Sequence, residues 1–236
     1  MSALVLRSSL CGGYRDAMAA RRDTRPYEER RSAILESAAA EFAASGFTAA
    51  TMASIHRRAG ISSGTLFHYF PTKIDLLLGV LDAGRRDTER TLQAIEAEAA
   101  GAAAILRYAS HVETEITDAI YPGLVRAVAD VERLPQVAEA LAVETALIDA
   151  FIRRHLPQDP EHSGTAAPDA SAARAIRWML DGASTDALVE PVPAGSLERS
   201  VARFLDGGPP RGAPAEGAPR RAGHPQAGAP AARSRR

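Results

Sequence analysis

The chain has 236 residues, 46 % of them hydrophobic, and a single cysteine, Cys11. That length allows one compact unit or two small ones, and one cysteine excludes an internal disulfide and a cysteine-based zinc site. The net charge of −1 hides a segregation: residues 46–73 carry Arg57, Arg58 and Lys73 without an acid, whereas 32–45 and 74–206 together carry twelve Arg against twenty-four acids.

A short acid-free segment in front of an acidic body suggests a face for a polyanion, with chance fluctuation of charge as the plain alternative. No apolar run is long enough to span a bilayer. The start, MSALVLRSSLCGG, is broken by Arg7 and makes a poor leader or lipid-attachment signal, so the chain is expected in the cytoplasm.

Residues 1–26 show no sustained periodicity and read as a disordered basic arm; Met18 offers a second plausible start. From Tyr27 to Ser45 the pattern is helical, with Ile34, Leu35, Ala38, Ala39 and Phe42 on one stripe. Gly46 suits a left-handed cap. Thr51 supplies an N-cap hydroxyl to a helix over about 52–59, and Gly60-Ile61 breaks it. Ser62 or Ser63 caps a helix running to about Phe70, where Pro71 stops it. Thr72 caps the next. Residues 27–73 thus read as three helices, the last two joined by a tight glycine turn, which is the helix-turn-helix arrangement.

Beyond Lys73 helices are expected near 73–98, 102–119, 122–132, 135–156, 171–189 and 195–206, punctuated by Gly101, Pro122, Pro135, Pro157 and the polar loop 157–170. No stretch alternates with period two, so the fold class is all-α with about nine helices. From Gly207 the chain is mostly Gly, Pro, Ala and Arg and reads as a disordered tail.

In the helix 62–70, Leu66 and Phe70 are four apart and face inward toward Ile55 and Phe42. Ser63, Gly64 and Phe67 then face outward, flanked by His68 and Tyr69. Gly64 permits close approach of backbone, Ser63 can donate or accept at a base edge, and the Phe67 ring can lie against a thymine methyl. Thr51, at a helix N-terminus, suits a phosphate oxygen, as does Lys73. The ordered pattern Ile34–Phe47, Thr51-Met-Ala-Ser-Ile55, Ala59-Gly-Ile-Ser62, Gly64-Thr-Leu-Phe-His-Tyr-Phe70, Lys73 and Leu76-Leu77 closely resembles the DNA-binding domain of the TetR family of bacterial regulators.

That resemblance implies DNA contacts from Thr51, Ser63, Gly64, Thr65, Phe67, His68, Tyr69 and Lys73. Many members have tyrosine at the Phe67 position and a basic residue at the Ser63 position, so backbone anchoring here is expected to be weaker or more selective. Arg57 and Arg58 are either compensating contacts or solvated charges.

The resemblance further implies that residues 74–206 hold a small-molecule pocket and a dimer interface, the latter formed by the helices 171–189 and 195–206. Ala175, Trp178, Met179, Gly182, Leu188, Val201, Phe204 and Leu205 form apolar stripes there. Candidate pocket residues are Tyr108, His111, Glu115, Tyr121, Phe151 and Trp178, for each of which ordinary core packing is the competing role. Rings and acids of this kind suit a cationic or amphipathic ligand. The implied function is a ligand-responsive dimeric regulator, most simply a repressor on a roughly palindromic operator, with no cofactor; a sequence-tolerant architectural DNA binder is the alternative.

Two rival motifs fail on context. Gly60-Ile-Ser62-Ser-Gly64 fits the G-x-S-x-G elbow, but that motif follows a strand, and here a helix precedes it. His111 and Glu115 share a helix face at i, i+4, but two ligands make no metal site. The chain is not expected to be an enzyme.

Overall fold

The computed structural model describes residues 25–156 and 170–207. Most of the arm, the loop 157–169 and the tail from 208 lie outside the described residues. The described residues form helices and no strand: α1 (Arg25–Ala49), α2 (Met52–Arg58), α3 (Ser63–Tyr69), α4 (Lys73–Glu98), α5 (Ala102–Ile116), α6 (Tyr121–Ala129), α7 (Pro135–His155), α8 (Ala170–Asp186) and α9 (Ser196–Leu205). The all-α expectation holds, and α1 begins inside the segment read as an arm.

Local chemistry sets the boundaries. Gly46 interrupts α1 at φ 76° and ψ 163°, an extended positive-φ conformation open to glycine, rather than the left-handed cap expected. Thr51 and Ser54 form a reciprocal capping box at α2, and Thr72 and Asp75 form another at α4. Ser62 caps α3 by accepting from Thr65 N–H at 3.1 Å. The helix α5 stops three residues earlier than its periodicity suggests, because Asp118 turns the chain by accepting from Ile120 N–H at 2.8 Å.

One core runs through the molecule. Ile34, Leu35, Ala38 and Phe42 of α1 meet Ile55, Leu66, Phe70, Leu76 and Leu77, and the same cluster continues to Tyr108, Val128, Ile148 and Ile176. Burial of this apolar surface is the main driving force for the assembly. The most extensive helix pairing is α1 with α6, followed by α5 with α9 and α1 with α4. Glycine permits the first and third. A Cβ on Gly123 of α6 would lie 2.1 Å from the Ala43 carbonyl oxygen, and one on Gly79 of α4 would lie 2.8 Å from Leu35. At the far end, Glu113 of α5 accepts from Ser196 N–H at 2.9 Å, capping α9, whose own Gly195 offers no side chain.

Candidate nucleic-acid interface

The helix α3 buries only Leu66, with Phe70 closing the core immediately after it. Leu66 is 0 % and Phe67 48 % exposed, so the inward and outward faces fall as their spacing predicts. Ser63, Gly64 and His68 are exposed with Phe67, while Thr65 and Tyr69 are half-buried. Among the described residues nothing crowds Gly64: a Cβ there would find only Ser62 Oγ, 4.0 Å away. The absence of a side chain at this position therefore has no internal packing reason. The Thr65 hydroxyl turns back to Ser62 Oγ at 2.8 Å. Ser62 is thus an N-cap bonded within its own helix.

The rings beside Phe67 are organised. Tyr69 stacks on Tyr27 of α1, with centroids 4.6 Å apart and planes 26° from parallel. His68 meets Tyr69 edge-on at 5.6 Å. Tyr27 gave no signal in the sequence, since it precedes the first apolar stripe.

Two residues expected to hold phosphate are engaged elsewhere. The Lys73 ammonium donates to the carbonyls of Phe47, Thr48 and Ala50 at 2.6, 3.2 and 2.8 Å, and lies 4.5 Å from the Phe47 ring centre. An ammonium has three N–H donors, and all three are used to cap the turn that follows Gly46. Lys73 is a structural cation in this state. The Thr51 hydroxyl accepts from Ser54 N–H at 3.0 Å, so its oxygen is occupied by the capping box, although the residue stays exposed.

The two arginines divide. Arg58 donates to Glu41 Oε2 at 2.9 Å, and this bond holds the Glu41 carboxyl below its usual range. Arg57 donates through Nε to the Ala53 carbonyl at 3.1 Å and remains exposed. Of the pair, only Arg57 is free of a carboxylate among the described residues.

The residues expected to line a pocket lie together only in part. Tyr108 is buried between His111, at 6.5 Å ring to ring, and Phe151, at 5.6 Å, so α5 and α7 meet through rings. His111 Nε2 contacts Glu115 Oε1 at 3.1 Å, and the second carboxylate oxygen of Glu115 is buried without a hydrogen-bond partner. Tyr121 is buried at the start of α6. Trp178, expected in the pocket, is instead 62 % exposed on the outer face of α8. His111 also borders an open groove of about 360 Å³ between α4 and α5.

Sequence reading missed a second histidine in this region. His155 packs against Phe151 with the rings tilted by 54° and centroids 4.7 Å apart, accepts the Gly101 N–H at Nδ1 and faces Glu96 through Nε2 at 3.1 Å. That pattern assigns the proton to Nε2. Burial raises the Glu96 carboxyl, but donation from His155 and Arg154 leaves it below the usual range. Among the described residues no group of three His, Cys, Asp or Glu could hold a metal, and no helix is long and apolar enough to cross a membrane.

Residues 34–80 match the family model of bacterial regulatory proteins of the tetR family. Over 157 residues the chain is 27 % identical to the HTH-type transcriptional regulator UidR of Escherichia coli K12, covering 64 % of this chain and 76 % of UidR. It is 39 % identical over 54 residues to the HTH-type transcriptional repressor KstR of Rhodococcus jostii RHA1, covering 23 % and 26 %. The fold is similar to that of the multidrug binding protein EbrR, solved with malachite green, at a TM-score of 0.59 and 18 % identity over 75 % of this chain and 96 % of that one.

Proposed function

We propose that this chain, which belongs to the TetR family of bacterial transcriptional regulators, is a cytoplasmic homodimeric repressor that binds a palindromic operator and is released by a small molecule. Residues 27–73 read DNA, and 74–206 bind the effector and dimerise. The observation that carries the DNA reading is α3 itself: Ser63, Gly64, Phe67 and His68 are exposed on a segment without acids, and Gly64 backs onto open space. Phe67 and Ser63 read base edges in the major groove, Tyr69 and Arg57 anchor the backbone, and Thr51 and Thr65 stand at the margin.

The dimer contact is the outer face of α8. Ala175, Trp178, Met179 and Gly182 recur at i, i+3, i+4 and i+7, and a Cβ on Gly182 would meet nothing within 4 Å. An exposed tryptophan flanked by small residues fits a helix of a second copy. The effector enters among Tyr108, His111, Glu115 and Phe151, with Tyr121 at the α6 end. The unpartnered Glu115 oxygen favours a ligand that is cationic or carries N–H donors, because such a group would satisfy it. Effector binding shifts the equilibrium between two placements of α4 and α6 against α1, by as much as its affinity for the two differs.

The test is selection of genomic fragments from the source organism at about 150 mM salt, followed by sequencing. A shared palindrome, lost when Phe67 and Tyr69 are both changed to Ala, supports the repressor. Specific sites should be favoured over random DNA by ~10³ or more. Strong, salt-sensitive binding with no enriched sequence would instead identify an architectural DNA binder.

A further inference from the structure

The Tyr27–Tyr69 contact lies at the edge of the core: Tyr27 is exposed, and Tyr69 is half-buried against the core cluster. Tyr27 is 45 % exposed in the first turn of α1, and Tyr69 closes α3. One turn further along α1, the Arg31 guanidinium lies over the Phe70 ring at 5.4 Å, so two side chains a turn apart on α1 meet Tyr69 at the end of α3 and Phe70 just after it. The helix α3 has seven residues and one buried side chain. Its core anchor, Leu66, fixes the helix, while Tyr69 packs against the core along only part of its ring and leaves the rest to Tyr27. Tyr69 receives Tyr27 on one face and the edge of His68 beside it, at 87° between planes.

We propose that Tyr27 is a positioning residue of the DNA interface: its ring holds Tyr69, and through it His68, in the orientation that DNA meets. This rests on the reading of α3 as the DNA-recognition helix. The physical reason is preorganisation. A half-exposed tyrosine samples several staggered rotamers, and restricting it in the free protein removes that ordering cost from the binding step. Stacked ring geometry supplies the restraint without a charge. Tyr27 therefore alters affinity without altering the number of phosphates neutralised.

The experiment uses the full chain and the DNA site recovered by selection, with Tyr27→Ala, Tyr27→Phe and Tyr69→Ala, singly and with Tyr27→Ala and Tyr69→Ala combined. Tyr27→Ala should weaken specific binding by about 2- to 10-fold, and Tyr27→Phe should restore the wild-type value. The slope of log affinity against log salt should be the same in all Tyr27 variants, since no phosphate contact is lost. In the Tyr69→Ala background, Tyr27→Ala should cost nothing further. Thermal melts of Tyr27→Ala should match the parent, because the ring is outside the core. Unchanged binding by Tyr27→Ala, equal loss in Tyr27→Phe, or additive loss with Tyr69→Ala each overturns the proposal while leaving the DNA reading intact. A parent chain that selects no DNA sinks both.

Discussion

Gly123 of α6 lies directly on the Ala43 carbonyl of α1: a Cβ on Gly123 would stand 2.1 Å from that oxygen and 2.7 Å from its carbon. Two helix backbones are therefore in contact where the recognition segment meets the rest of the molecule. A second glycine, Gly46, faces the same helix: a Cβ on it would stand 3.7 Å from Asp130 Oδ2 at the C-terminal end of α6.

Gly123→Ala should force α6 away from α1, since the obstruction is backbone and cannot rotate aside. Overpacking of this kind costs about 1–3 kcal/mol, which for a domain of this size lowers the melting temperature by several degrees. Gly64→Ala, where a Cβ meets only Ser62 Oγ at 4.0 Å, serves as the matched control and should not destabilise the fold. Differential scanning calorimetry of the two variants decides it; equal melting temperatures would refute the close-contact reading.

Gly64→Ala should separate folding from binding. The new methyl has room, and alanine is the better helix former by up to about 1 kcal/mol. Stability is expected to hold or rise slightly, while affinity for the selected DNA site falls. An equilibrium melt beside a fluorescence-anisotropy titration gives both numbers, and undiminished affinity would show that DNA does not approach this surface closely.

Lys73→Met tests the reassignment of that lysine. Loss of its three carbonyl contacts leaves the turn after Gly46 without its cap, at a cost of about 1–3 kcal/mol. The salt slope of DNA binding should be unchanged. A slope reduced by about one per protomer, with no loss of stability, would restore the phosphate role.

The Glu41–Arg58 pair links α1 to α2 and gives stability a pH dependence of known sign. Donation by Arg58 holds the Glu41 carboxyl low in the folded chain, so the ionised form is favoured by folding. The contribution is complete above the unfolded carboxyl value of about 4.3 and fades as pH falls through the lower folded value. Because Arg58 is 43 % exposed, it is on the order of 1 kcal/mol at most. Glu41→Gln should be less stable than the parent at pH 7 in urea unfolding, with the gap closing as the medium becomes acid enough to protonate Glu41. A gap independent of pH would assign the effect to packing.

Trp178→Glu should convert the proposed dimer to monomer without unfolding it, since the residue is 62 % exposed in the single chain. Sedimentation velocity reads the mass, and circular dichroism reads the helix content. A variant that sediments like the parent would move the dimer contact off the outer face of α8.

Much of this protein is set by local chemistry that the sequence displays. The helix starts follow from Thr51, Ser62 and Thr72 because a cap needs only residues three apart. The inward face of α3 follows from the four-residue spacing of Leu66 and Phe70. The outward face, Ser63, Gly64 and Phe67, follows as its complement. What the linear order could not decide is which long side chain reaches which distant partner. Lys73 lies 26 residues from Phe47 yet donates to its carbonyl, and a charge count alone reads it as a free cation. Trp178 reads as a pocket ring from its chemistry, whereas the packing of Ala173, Ile176 and Leu180 on the other face of α8 turns it outward. Tyr27 lies 42 positions before Tyr69 in the chain, outside any apolar stripe, and only the crossing of α1 with α3 brings the rings together. Gly123 sits in an ordinary helical stretch, and its importance comes wholly from the backbone of α1 that packs against it. Periodicity and capping act over one helical turn and can be read from order alone; ion pairing, ring stacking and backbone contact depend on distances that exist only once the helices have packed.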